Sequence, residues 1–128
     1  MSDTLQCVFS IIRYVPDVIR GEYVNIGVIL QQVLADSDPP IPVRTFVEVT
    51  RDWSRVLGVD AGADVRLLES LEADIAADMG IALQQSRIYG LSHFVQITAP
   101  RACLADDLQA ELIRLMRVYV DSKTQYKK

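Results

Sequence analysis

Lysine is almost missing from this chain, histidine and tryptophan occur once each, and cysteine occurs twice in 128 residues. All three lysines (Lys123, Lys127 and Lys128) fall in the last six positions, so the first 122 residues carry ten arginines against 17 acids, a net charge of −7. A domain that acidic repels a phosphate backbone, which argues against duplex DNA or RNA as a partner. Arginine without lysine is mainly the mark of a GC-rich genome, and the tail at 123–128 reads as a frayed end. Cys7 and Cys103 each sit among apolar residues. They make neither a disulfide framework nor a zinc site and read as buried free thiols. The start, Met-Ser-Asp-Thr-Leu, lacks the cationic region of a secretory leader. No apolar run approaches the roughly 20 residues that cross a bilayer. The expectation is a cytoplasmic protein in a reducing compartment, with no membrane association. Phosphate-binding loops, GxGxxG, HExxH, CxxC and GxSxG are all lacking, so no cofactor and no metal is implied.

What remains is half hydrophobic and 23% charged, the composition of a folded domain. The length suits one domain, 1–122, followed by the short basic tail 123–128. Residues 5–14 (LQCVFSIIRY) and 23–34 (YVNIGVILQQVL) are rich in β-branched and aromatic side chains and read as strands. The run Ile26 to Leu30 suits a central strand covered on both faces. Residues 43–49 alternate, with Val43, Thr45, Val47 and Val49 on one face and Arg44, Phe46 and Glu48 on the other. The period then changes. Residues 51–58 read as a short helix, 63–80 as a longer one with Leu68, Leu71, Ile75 and Met79 as its stripe, and 81–92 as irregular. Residues 93–99 read as a fourth strand stopped by Pro100. A last helix runs from an Asp106 cap to about Val120, on a stripe of Leu108, Leu112, Leu115 and Tyr119. The order βββααβα predicts an α+β domain: a small antiparallel sheet of about four strands with helices on one face.

The densest polar cluster lies between the first two strands: Arg13, Tyr14, Asp17, Arg20, Gly21, Glu22 and Asn25. An antiparallel return brings Arg13 and Glu22 together at the hairpin mouth as an ion pair that fixes the loop. Alternatively, Arg13 and Arg20 are the forks of a small anion site. Asp17 and Glu22 are a further candidate, as a metal or acid–base pair, but lack the third ligand a metal would need. Asn25 and Gly27, two apart in a strand, are expected on one face, where the missing side chain of Gly27 admits either a closely packed neighbour or a ligand. Arg101, after Pro100, is expected to start a turn that reaches the same sheet edge. His93 has no ligand or nucleophile at useful spacing and reads as structural, and Trp53 reads as a core or interface anchor.

Residues 9–30, FSIIRYVPDVIRGEYVNIGVIL, resemble a bacterial domain-of-unknown-function family, number three thousand and thirty-seven. The matching positions are Arg13, Tyr14 and Pro16, then Gly21, Glu22, Tyr23, Asn25, Gly27 and Val28. The segment 97–107, ITAPRACLADD, looks like the family's late strand, Pro-Arg turn and final helix. The resemblance implies an accessory role beside a HipA-like serine/threonine kinase. Two functions therefore compete. One is a non-catalytic interaction domain with a protein partner, a HipA-like kinase foremost, and with room for a homo-oligomer. The other is a small enzyme or ligand-binding domain that holds an anionic molecule through Arg13, Arg20, Glu22, Asn25 and Arg101.

Overall fold

β-Branched and aromatic runs extend because their side chains pack well on a pleated surface. In the computed structural model, which describes residues 4–17, 21–78 and 95–121, two such runs form the centre of a curled antiparallel sheet. These are β1 (Leu5–Asp17) and β2 (Glu22–Val33). β3 (Pro42–Val49) lies outside β2, while β4 (Val95–Ile97) and β5 (Arg101–Ala105) both pair with the far side of β1. The helices are α1 (Ser54–Val59), α2 (Val65–Glu69), α3 (Leu71–Asp78) and α4 (Leu108–Leu115). A five-residue π-helical turn, Met116–Val120, prolongs α4.

The α+β class and the antiparallel sheet are as the sequence predicts, and finer points differ. Pro100 does not end the sheet. β4 pairs Ile97 with Ile12, β5 pairs Arg101 with Phe9, and the register shifts by one residue between them. Pro100 has no N–H to offer the ladder. Thr98 bridges the break: its N–H donates to Ile11 O at 3.0 Å and its hydroxyl accepts from Ile11 N–H at 2.8 Å. Arg101 thus opens a fifth strand rather than a turn. The expected helix 63–80 divides at Ser70, whose hydroxyl donates to Leu67 O at 2.7 Å and competes with the helical ladder. The cap of α4 is Asp107, not Asp106; its carboxylate accepts from Gln109 N–H at 2.9 Å and Ala110 N–H at 3.4 Å. Met79, the segment 81–92, His93 and the tail 123–128 lie outside the described residues.

The helices serve both faces of the sheet rather than one. Ile12, Tyr14, Val24, Ile26 and Ile29 join Trp53, Val56, Leu68, Leu71 and Ile75 under α1 to α3. Cys7, Phe9, Ile11, Val28 and Leu30 join Leu108, Leu112, Leu115 and Met116 under α4. Neighbours in β1 such as Ile11 and Ile12 point to opposite faces, so the two clusters are two layers of core. The run Ile26–Leu30 is buried throughout, as expected for a strand covered on both sides.

Candidate functional site

A bulge decides which polar residues meet. Ile12 pairs with Gly27 and Arg13 with Asn25, so Ile26 is one residue too many in β2. An unpaired residue resets the alternation of side chains. Before it, Val24 and Ile26 face α1–α3; after it, Val28 and Leu30 face α4. Asn25 and Gly27 consequently lie on opposite faces, not on one. A Cβ on Gly27 would stand 2.7 Å from Glu48 O, 3.0 Å from Ile12 Cδ1 and 3.2 Å from Val49 Cγ2. The space over Gly27 is occupied by the backbone of β3 and by the core, not by a ligand.

Asn25 is buried on the α4 side with only 6% of its surface exposed. Its amide donates to the Tyr119 carbonyl at 2.9 Å, and its Oδ1 accepts from Arg13 Nε at 3.2 Å. The Arg13 guanidinium also lies 4.2 Å from the centre of the Tyr23 ring. In the register Arg13 faces Asn25, not Glu22, while Glu22 faces Asp17 at the hairpin mouth. Gly21 turns the chain there in the left-handed region, at φ 72°, where a side chain would be strained. Arg20 lies outside the described residues, as does the side chain of Asp17.

Arg101 stands opposite Phe9, four positions from Arg13 along β1, so the structure does not bring it to the hairpin mouth. Its guanidinium lies 5.5 Å from the Phe9 ring centre and 6.0 Å from that of Tyr119, and the two rings are themselves 5.6 Å apart. Tyr119 is thus the shared element. Its carbonyl holds Asn25, and its ring sits with Phe9 under Arg101.

A residue that sequence reasoning missed completes the arrangement. Arg55, on α1, donates from Nη1 to Val120 O at 2.5 Å and from Nη2 to Asp121 O at 2.8 Å. The last carbonyls of a helix have no partner within it. Here Asn25 and Arg55, from two elements far apart in sequence, take three consecutive ones. Nothing in the spacing of Arg55 announces this, because its targets are main-chain atoms. Beside these bonds lies a cavity of about 130 Å³, lined by Asn25, Thr50, Asp52, Arg55, Val120 and Asp121 among others. Hydrogen bonds from Ser54 hold the Asp52 carboxyl below its ordinary pKa. Among the described residues, no three His, Cys, Asp or Glu side chains gather at one point, and no helix is long and apolar enough to cross a membrane.

Cys7 and Cys103 are free thiols and direct cross-strand neighbours in the β1–β5 ladder, a juxtaposition the sequence could not reveal. Burial is the main cause that raises both, Cys103 to about 11. Trp53 is a buried anchor of the core under α1–α3. The Tyr14 hydroxyl donates to Asp60 Oδ2 at 2.6 Å; burial first, and then that carboxylate, push the phenol above its usual range.

No curated protein and no solved structure matches this chain. One family model does, across residues 9–120, and it spans the hairpin, the bulge and the docked final helix just described. The chain belongs to that family, described as protein of unknown function (DUF3037).

Proposed function

We propose that this protein is a non-catalytic accessory or protein-interaction domain of a bacterial cytosolic system, with a HipA-like kinase as its partner. The observation that carries the reading is the state of Asn25. It is buried, and its amide is bonded on one side to the Tyr119 carbonyl and on the other to Arg13. Asn25, and Arg13 through it, are engaged in fastening the last helix to the sheet. A carboxylate or phosphate held between Arg13 and Asn25 would have to displace those bonds. The kinase is what the family resemblance implies, and the acidic charge of the domain suits a partner with a basic face.

The second reading is a small enzyme or ligand-binding domain that holds an anionic molecule at residues 13–25. The cavity beside Asn25 favours it. At about 130 Å³, however, that cavity is small beside the roughly 300–1,000 Å³ of small-molecule sites. The test is affinity purification of the native protein with mass spectrometry of both proteins and small molecules. The accessory role predicts a stoichiometric protein partner. A phosphorylated or carboxylated small molecule, with no protein in stoichiometric amount, would replace it with the second reading.

A further inference from the structure

We propose that the chain forms a twofold dimer through the open edge of β3, with β3 of a second copy running antiparallel beside it. The sheet order leaves β3 outermost. Its even-numbered residues face inward: Thr50 N–H donates to Ile26 O at 2.7 Å, and in the same register Glu48 pairs with Val28 and Phe46 with Leu30. The N–H and C=O groups of Thr45, Val47 and Val49 therefore point away from β2. Glu72 Oε1 takes the Val49 N–H at 3.2 Å, while those of Thr45 and Val47 face the side of β3 on which no strand pairs among the described residues. The usual guards of an edge are confined to its start, where Pro42 stands and Val43 is one residue too many in the register; from Arg44 to Val49 there is neither proline, lysine nor bulge.

Free main-chain groups accept any strand; the side chains select a second copy. Arg44 and Glu48 stand on either side of Phe46 on the α4 face. Antiparallel pairing centred on Phe46 sets Arg44 against Glu48 of the second copy, Glu48 against its Arg44, and Phe46 against its Phe46. Thr45 and Val47 then exchange main-chain hydrogen bonds across the axis. Slipping the register by one pair puts Arg44 against Phe46 or Thr50 and pairs no charges. The sequence is thus self-complementary in one register, which an isologous contact requires. The α4 face has room for the incoming side chains. A groove of about 280 Å³ lies between β3 and α4, with Glu48 and Asp121 as acids and Arg117 as a cation in its wall, and Leu112, Ile113 and Met116 as its apolar lining. Arg44 of the second copy enters it beside Glu48. This contact stands apart from the accessory role, since it needs no other protein.

Sedimentation velocity over a concentration series tests it, on wild type, Arg44→Glu, Glu48→Arg, the double exchange and Thr45→Pro. Proline at position 45 removes an outward N–H and no main-chain bond to β2, and Thr45→Val controls for the lost hydroxyl, which accepts from Gln31 Nε2 at 3.2 Å. Circular dichroism checks that each variant is folded. The expected result is a wild-type dimer, roughly tenfold weaker in each single charge variant. The double exchange restores it, and Thr45→Pro abolishes it. A wild type that stays monomeric up to its solubility limit overturns the proposal, as does a dimer indifferent to Thr45→Pro. Should Thr45→Pro fail to fold, the exchange decides alone: a double variant as weak as the singles overturns the proposal.

Discussion

Asn25 and Arg13 show how a residue's role follows from its partners. Removing the Arg13 side chain leaves Asn25 Oδ1 with a lost donor in a buried place. An unsatisfied buried polar group costs about 1–3 kcal/mol. Arg13→Ala is therefore expected to lower stability by an amount in that range, and Asn25→Ala by at least as much, both read by urea denaturation. An exposed surface ion pair would cost well under 1 kcal/mol. Gly27 is the opposite case, a place where nothing fits. Its Cβ would meet the Glu48 carbonyl at 2.7 Å, and the backbone of the adjacent strand yields only by shifting. Gly27→Val adds two methyl groups against Ile12 and Val49. We expect a loss of about 3 kcal/mol or more, and a melting temperature lower by roughly 10 °C. An unchanged melting temperature would mean that the β2–β3 register relaxes freely. Ser10 is the complementary test. Its hydroxyl is buried without a hydrogen-bond partner among the described residues. Ser10→Ala should be neutral or stabilise by up to about 1 kcal/mol, since it removes a desolvated group and no bond.

Among the elements, the final helix is held by what the other elements offer its end. Asn25 from β2 and Arg55 from α1 bond the carbonyls of Tyr119, Val120 and Asp121. Both anchors serve one five-residue π turn, so their losses should not add. A double-mutant cycle of Asn25→Ala and Arg55→Ala is expected to show a coupling energy of at least about 0.5 kcal/mol. Hydrogen exchange should locate the effect, with faster exchange in Met116–Val120 and little change in β1. The β1–β5 ladder carries a second test. Cys103 keeps its proton to about pH 11 in the folded protein, against 9.0 for an ordinary thiol. A raised thiol pKa favours the folded state fully below about pH 9 and loses that contribution as pH rises through 9 toward 11. Stability should therefore decline over that interval, less steeply in Cys103→Ala. Because the thiolate is the nucleophile, alkylation of Cys103 at pH 8 should run roughly tenfold or more slower in the folded than in the denatured chain.

For the whole molecule, the sequence made the class legible and left the meeting points hidden. The β-branched runs, the alternation in β3 and the helical stripes each encode one element's own periodicity. Strands β1 to β3, the buried Leu68–Leu71–Ile75 stripe and the buried Leu108–Leu112–Leu115 stripe all stand where those patterns put them. The family resemblance over residues 9–30 pointed to the family that the whole fold carries. What periodicity could not supply was the bulge at Ile26. It depends on how β2 sits against β1, and it alone turns Asn25 toward α4 and Gly27 toward α3. Nor could it supply the resumption of the sheet after Pro100, which needs the Thr98 hydroxyl beside Ile11. Local sequence sets the conformation of a segment through sterics and the burial of its apolar face. Which polar atoms meet across β1, β2, α1 and the last helix is set by long-range main-chain bonds, and those exist only once the chain has closed on itself.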